Sequence, residues 1–155
     1  MKKVIAAGFV VALLAGCAGP KYTVEAISAD NQTENVTIVK HNATRSVFLD
    51  NMLTWCMDEG KQCNVVNEGT PHDVAALTLT YISRWSWDFR TFVADAKIKA
   101  YKNSEKVGEV TFKAPNNGNL SKYGDDDKRI QMMMSLLFGE ASLSEAQQKI
   151  ESDQM

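Results

Sequence analysis

Alternation of apolar and polar residues between positions 77 and 89 is the clearest pattern in this chain. Most odd positions are apolar and most even positions are polar; the apolar set is Leu77, Leu79, Tyr81, Trp85, Trp87 and Phe89. Because successive side chains of a strand point to opposite faces, the pattern predicts a long strand with one apolar face. Two more alternating runs, 92–101 and 108–114, are joined by the turn-like KNSEK at 102–106. The three runs together predict an antiparallel meander.

A β-α-β unit is predicted ahead of the meander. The segment VTIVK at 36–40 is rich in β-branched residues, which favours a strand. Residues 45–58 place Phe48, Met52 and Cys56 on one broad apolar face, as in a helix that covers a core. Gly60 favours the end of that helix, and CNVV at 63–66 predicts a short second strand.

A second amphipathic helix is predicted after the polar loop 115–124. Asp125–Asp127 favours its start, because carboxylates are stabilised at the positive end of a helix dipole. Its apolar stripe contains Ile130, Met133, Met134, Leu137 and Phe138. Met132 falls outside this stripe, and Gly139 ends the helix. The sequence SLSE at 142–145 has the spacing of a capping box, so a short helix is expected in the polar tail 141–155.

The predicted order β-α-β-β-β-β-α indicates a two-layer α+β domain over residues 36–140. We expect a mainly antiparallel sheet with the helices packed on one face. Residues 17–35 are small and polar and have no sustained period. We therefore interpret them as a flexible tether in front of the domain.

The first sixteen residues predict an export signal. Lys2 and Lys3 precede an uncharged apolar segment, 4–16, which is about half the length that spans a bilayer as a helix. The motif Leu14-Ala15-Gly16-Cys17 then resembles the bacterial lipobox. That resemblance implies a lipoprotein signal peptide over 1–16 and a diacylglycerol (later also an N-acyl chain such as palmitate) on Cys17. Two other interpretations are cleavage by an ordinary signal peptidase after Ala15 or Ala18, and an uncut membrane anchor.

The resemblance to bacterial lipoproteins also bears on location. In that class an aspartate after the lipidated cysteine often retains the protein in the inner membrane, and here the residue is Ala18. The resemblance therefore implies attachment to the outer membrane through N-terminal acyl chains, with the domain facing the periplasm. More than one acyl chain is expected, because a single chain binds a membrane only marginally.

Removal of the signal changes the charge and the cysteine count. Taking residues 1–16 from 155 leaves 139 residues, and the loss of Lys2 and Lys3 moves the net charge from −2 to −4. This negative balance argues against a nucleic-acid partner.

Cys56 and Cys63 are then the remaining cysteines, and an oxidising compartment favours a disulfide between them. The alternative is that Cys56 is buried on a helix face while Cys63 begins a strand.

Motifs for catalysis or metal binding are missing from the sequence. It has no G-x-S-x-G and no glycine-rich phosphate loop, and His41 and His72 are its only histidines, without a C-x-x-C or H-x-x-x-H arrangement. We therefore expect no cofactor, no metal and no enzymatic activity. A hydrolase without a recognisable motif is the alternative.

Trp85, Trp87 and Phe89 are the most distinctive side chains of the chain, in the tract YISRWSWDFRTF at 81–92. Either all three lie in the core beneath the predicted helices, or they form a face that binds a glycan, a peptide or a lipid. We favour the core. In that case Trp87→Ala is expected to cost about 3–5 kcal/mol of unfolding free energy.

A second resemblance covers residues 36–114. W-x-W-D-F at 85–89, A-x-I-x-A-Y at 96–101 and KVGEV at 106–110 look like small uncharacterised Gram-negative envelope lipoproteins. In these a β-α-β start precedes a meander, as in curli-secretion or Tol-associated accessory domains, and no catalytic residues are implied. Two functions are open: a non-enzymatic role in binding an envelope protein or in envelope assembly, and a carrier or sensor of a small apolar or glycan ligand through Trp85, Trp87 and Phe89.

Overall fold

A computed structural model of the protein describes residues 20–115 and 119–152. Six strands form one sheet: β1 (Lys21–Glu25), β2 (Asn35–Lys40), β3 (Gln62–Asn67), β4 (Leu77–Asp88), β5 (Arg90–Lys102) and β6 (Glu105–Lys113). Three helices pack with it: α1 (Ser46–Asp58), α2 (Asp126–Leu137) and α3 (Leu143–Glu151). The predicted α+β class is confirmed.

The strand order in the sheet is β1-β6-β5-β4-β2-β3. The predicted meander is confirmed, since β4, β5 and β6 pair in sequence and antiparallel. The sheet is mixed, however, because β2 runs parallel to both of its neighbours, β3 and β4. The parallel β2–β3 pair follows from the crossover through α1, which returns the chain to the same end of the sheet.

The tether predicted over residues 17–35 is wrong across its described part, because residues 21–35 belong to the domain. β1 pairs antiparallel with β6, and the ring of Tyr22 lies 5.2 Å from that of Phe112 in the core. Further along, the backbone N–H of Ile27 donates to the carbonyl of Leu137 at 2.8 Å. Only two side chains of KYTVE point toward the core. Two residues are too few to show an alternating pattern in the sequence, but they are sufficient for a short edge strand.

One face of the sheet carries the core, and its side chains come from alternate positions of the central strands. The fully covered residues of these strands include Val36, Ile38, Leu77, Leu79, Ile98, Ala100, Val110 and Phe112. The rings of Phe48 on α1 and Tyr81 on β4 stack at 5.3 Å. Met132 is buried as well, contrary to the helical-stripe prediction, because α2 is flanked by both α1 and α3.

Cys56 and Cys63 are joined by a disulfide with a Cα–Cα distance of 6.2 Å. It links the last turns of α1 to the edge strand β3. The chain between them turns at Gly60, whose φ of +65° lies in the left-handed region that glycine adopts without a steric penalty. In this structure the two cysteines therefore act as one crosslink.

The predicted caps of the last two helices are confirmed. The Asp125 carboxylate accepts the backbone N–H groups of Asp127 and Lys128 at 3.1 and 3.2 Å and so caps α2. Ser142 accepts the N–H of Glu145 at 3.2 Å and caps α3. α3 then lies beside β1, where Gln147 donates to the carbonyl of Pro20 at 3.1 Å.

Within residues 20–115 and 119–152, no helix combines the length and apolar character needed to cross a bilayer. The predicted signal peptide, 1–16, and the predicted lipidation site, Cys17, lie outside the described residues.

Candidate functional site

The outer part of the β4–β5 hairpin extends beyond the helices that cover the sheet. β4 has 12 residues and is therefore about 40 Å long. α1 has 13 residues but is only about 20 Å long, because a helix rises about 1.5 Å per residue. α1 covers the first half of β4, where Phe48 stacks on Tyr81. The part of β4 that follows Arg84 therefore extends past α1. We call residues 85–93 the hairpin tip.

The core prediction for the three aromatic side chains is wrong for Trp87 and Phe89. Trp87 is 72% exposed and Phe89, at the apex of the hairpin, is 90% exposed. Trp85 is half-buried: its indole N–H donates to Ser83 Oγ at 2.9 Å, and the Arg45 guanidinium lies 5.0 Å from its ring centre. Only Trp85 is near enough to α1 to be partly covered.

A bulge at the base of the tip interrupts the alternation that the sequence predicts for β5. Arg84 pairs with Asp95 but Trp85 pairs with Val93, so Ala94 is an extra residue on β5. The bulge exchanges the faces of β5: Val93 points to the side of Trp85, whereas Phe92 points away from the helices. Phe92 is nevertheless buried, because Tyr123 packs edge-on against it at 5.7 Å.

A cleft of about 670 Å³ lies between the hairpin tip and the start of α2. We call it the tip cleft. Trp85 forms one wall, Arg90 and Leu120 stand at the hairpin side, and Asp125–Lys128 form the opposite side. An aromatic face, a guanidinium and several carboxylates therefore converge on one concave surface.

The short 3₁₀ turn Leu120–Tyr123 fastens the tip to the rest of the domain. The Lys122 ammonium is almost fully buried and forms an ion pair with the Asp88 carboxylate, and the Tyr123 hydroxyl donates to the Asp88 carbonyl. The hydrogen bond from Lys122 lowers the pKa of Asp88 from its ordinary value. Asp88 is thus held through both its side chain and its backbone, directly before the apex.

Arg129 holds the 3₁₀ turn in place from α2. Its side chain is 1% exposed and donates to the carbonyls of Ser121 and Lys122, the latter at 2.9 Å. The guanidinium also lies 5.2 Å from the ring centre of Phe112 and 3.6 Å from the Asp126 carboxylate. Burial lowers the pKa of Arg129 from its ordinary value, and the Asp126 carboxylate opposes that change.

The carboxylates of the tip cleft all have structural partners. Asp125 caps α2, Asp126 accepts the backbone N–H of Val93 at 3.2 Å, and Asp127 accepts from Asn51 at 2.7 Å. Burial raises the pKa of Asp126, whereas the hydrogen bond from the Val93 N–H and the positive charge of Arg129 act in the opposite direction. These groups connect the base of the tip to both α1 and α2.

The other predicted positions lie apart from the tip. The Cys56–Cys63 disulfide joins α1 to the edge strand β3, and the two histidines lie in separate loops, where His41 contacts Thr44 and His72 contacts the Thr70 carbonyl. Among the described residues no group of three or more histidines, cysteines and carboxylates is placed to hold a metal ion.

The sequence interpretation overlooked the residues that fix the tip, namely Asp88, Lys122, Tyr123 and Arg129. Arg129 carried a readable signal. It lies four positions before Met133 on the apolar side of α2 and three positions after Asp126. An arginine on a buried helix stripe, with a carboxylate one turn earlier, indicates a buried ion pair.

No protein-family model and no curated protein matches this chain. Among solved structures, the chain is similar to the crystal structure of a minor lipoprotein from Acinetobacter baumannii. The two chains are 10% identical and superpose with a TM-score of 0.29, over 77% of this chain and 91% of that one. A similarity of this extent carries no argument about fold family or function.

Replacing Trp87 by Ala should leave the melting temperature almost unchanged, because the ring is mostly in solvent. The matched control is Trp55→Ala, which removes a 3%-exposed ring whose N–H donates to Ser135 Oγ at 2.9 Å. That control should lose about 3–5 kcal/mol. Thermal unfolding followed by circular dichroism compares the two. An equal loss of stability in both variants would show that Trp87 is part of the core.

Replacing Arg129 by Met should destabilise the protein by about 3–5 kcal/mol, because one partner of a buried ion pair and two carbonyl hydrogen bonds are lost together. The control is Arg84→Met, which breaks an exposed pair with Asp95 worth at most about 1 kcal/mol. Hydrogen exchange should accelerate in residues 86–92 and 120–124 of the Arg129 variant. Unchanged exchange in both segments would show that Arg129 does not hold the tip.

Proposed function

We propose that this protein is a lipid-anchored, non-enzymatic binding protein of the Gram-negative envelope, which carries a small ligand in the tip cleft. The anchor is the diacylglycerol on Cys17, and the domain faces the periplasm from the outer membrane. The lipobox resemblance at residues 14–17 supports the anchor, and Ala18 supports the outer-membrane location.

The observation that carries the binding role is the tip cleft beside Trp85. Its volume of about 670 Å³ lies within the roughly 300–1,000 Å³ of small-molecule sites. The half-buried indole offers a flat apolar surface, and the Arg90 guanidinium offers donors. The Ser121 hydroxyl donates to Asn119 and so offers its oxygen to a ligand as an acceptor. A sugar ring has matching chemistry, with an apolar C–H face for the indole and hydroxyl groups for the polar rim. The mixed lining favours a glycan over a wholly apolar ligand.

The use of the carboxylates favours binding over catalysis. A general acid or base needs a carboxyl group free to exchange a proton with the substrate. In the tip cleft Asp125, Asp126 and Asp127 are each engaged by backbone N–H groups or by Asn51. The sequence also predicts a protein partner in the envelope, and that prediction stands in addition to the proposed binding of a small ligand.

Replacing Cys17 by Ser should abolish lipidation and leave an uncleaved precursor. In the wild-type protein, mass spectrometry of the mature N-terminus should find an acylated Cys17. The companion variant Ala18→Asp should keep the acyl chains but move the protein to inner-membrane fractions. An unmodified N-terminus at residue 16, 18 or 19 would end the lipoprotein proposal.

Ligand binding should depend on the lining of the tip cleft. We expect neutral or N-acetylated oligosaccharides to shift NMR signals of Trp85 and Ser121. Arg90→Ala should weaken binding by about tenfold, which corresponds to about 1.4 kcal/mol for the lost hydrogen bonds. Arg90 is exposed, so the fold should tolerate the change. The control is Lys99→Ala on the opposite face of the sheet. Saccharides that bind wild type and Arg90→Ala equally would contradict the assignment.

A further inference from the structure

The start of β1 and the aromatic tip lie at the same end of the sheet. Lys21 pairs with Lys113, Lys113 pairs with Asp95, and Asp95 pairs with Arg84, so these four residues form one row across β1, β6, β5 and β4. β1 runs antiparallel to β4, because three successive antiparallel pairings connect them. The N-terminal end of β1 and the C-terminal end of β4, which leads into the hairpin tip, therefore lie at the same end of the sheet.

The distances beyond this row are similar on the two strands. Cys17 is four residues before Lys21, and four residues of chain reach at most about 14 Å. Asp88 is four residues after Arg84, which is about 13 Å along a strand. β1 and β4 are three strand spacings apart, about 14 Å. A membrane that holds acyl chains on Cys17 must therefore pass close to this end of the domain.

We propose that Trp87 and Phe89 insert into the interfacial layer of the membrane leaflet that holds the acyl chains of Cys17. This inference rests on the lipid anchor of the proposed function. The bilayer is the occupant to which the geometry points, because the short chain before Lys21 cannot hold the domain away from the membrane. The exposed rings of Trp87 and Phe89 determine which surface at this end of the sheet contacts the bilayer.

The side chains at the tip suit a membrane interface. Indole rings are enriched at the boundary between headgroups and acyl chains, where their apolar body and polar N–H are both satisfied. Phe89 lies at the apex of the hairpin with a φ of +62°, and it is 90% exposed. Lys122 and Tyr123 fix Asp88 directly beneath it. The tip therefore presents two apolar rings on a braced support.

Charge has a smaller role in this contact. The exposed cations at this end of the sheet are Lys21, Arg84, Arg90, Lys113 and Lys128. Asp125 and Asp127 are exposed beside them, and the side chains of Asp88 and Asp95 are about half-exposed, so five positive charges are accompanied by four negative ones. The opposite signs leave no strong net attraction to anionic headgroups. The aromatic contact should therefore persist in zwitterionic lipid and at high salt.

Quenching of Trp87 fluorescence by brominated lipid tests the contact. The mature acylated protein is reconstituted in phosphatidylcholine vesicles with and without bromine on the acyl chains. We expect wild-type emission to be quenched and blue-shifted, and Trp87→Phe to lose most of that quenching. The control adds Val74→Trp to the Trp87→Phe protein. Val74 is exposed at the opposite end of the sheet, where its carbonyl accepts from Asn103, and a tryptophan there should not restore quenching.

Two measurements on the same sample separate the possible failures. If mass spectrometry finds no acyl chain on Cys17, the proposed anchor fails, and this inference fails with it. If Cys17 is acylated but Trp87 is quenched no more than the tryptophan at position 74, the tip does not touch the bilayer and the inference alone is overturned. Quenching that disappears in high salt would contradict an aromatic contact and indicate an electrostatic one.

Discussion

The buried guanidinium of Arg129, at the start of α2, makes the contacts on which the position of the hairpin tip depends. A buried cation requires hydrogen-bond acceptors and a counter-charge. The carbonyls of Ser121 and Lys122 accept hydrogen bonds from Arg129, and the Asp126 carboxylate forms an ion pair with it at 3.6 Å. The same bonds give the 3₁₀ turn a fixed position. Because that turn carries Lys122 and Tyr123, its position is passed on to Asp88 and so to the hairpin tip. Burial of one charge thus orders a loop and a hairpin that have little core of their own.

A mismatch of lengths gives this end of the domain its exposed surface. A strand of 12 residues is about twice as long as a helix of 13 residues, so α1 cannot cover β4 from end to end. The covered half supplies the core with Leu77, Leu79 and Tyr81. The uncovered half presents Trp87 to solvent, and its Trp85 forms one wall of the tip cleft. The core contacts and the proposed binding surface therefore lie on different halves of one strand.

The two edges of the sheet differ in their relation to the proposed anchor. β3 is joined to α1 by the Cys56–Cys63 disulfide, whereas β1 is held by α3 and by its pairing with β6. The domain begins within a few residues of Cys17, so a lipid on that cysteine leaves little freedom of orientation. In the proposed orientation, the short chain between Cys17 and Lys21 and the aromatic tip would place this end of the sheet against the membrane.

Local periodicity in the sequence determined the meander, the β-α-β unit and both amphipathic helices, and the residue types at the helix starts determined the capping of α2 and α3. These features depend on neighbours along the chain, which is why they are readable from it. β1 was missed because two inward residues make too short a pattern. Alternation also assigned Trp85, Trp87 and Phe89 to one strand but did not reveal whether a second layer covers that strand. Coverage depends on where α1 lies along β4, and that is set by contacts between residues far apart in sequence, such as the stacking of Phe48 on Tyr81. For the same reason only the tertiary structure placed Arg129, Lys122 and Asp88 in one network, since the burial that makes these charges pair exists only after the layers have packed.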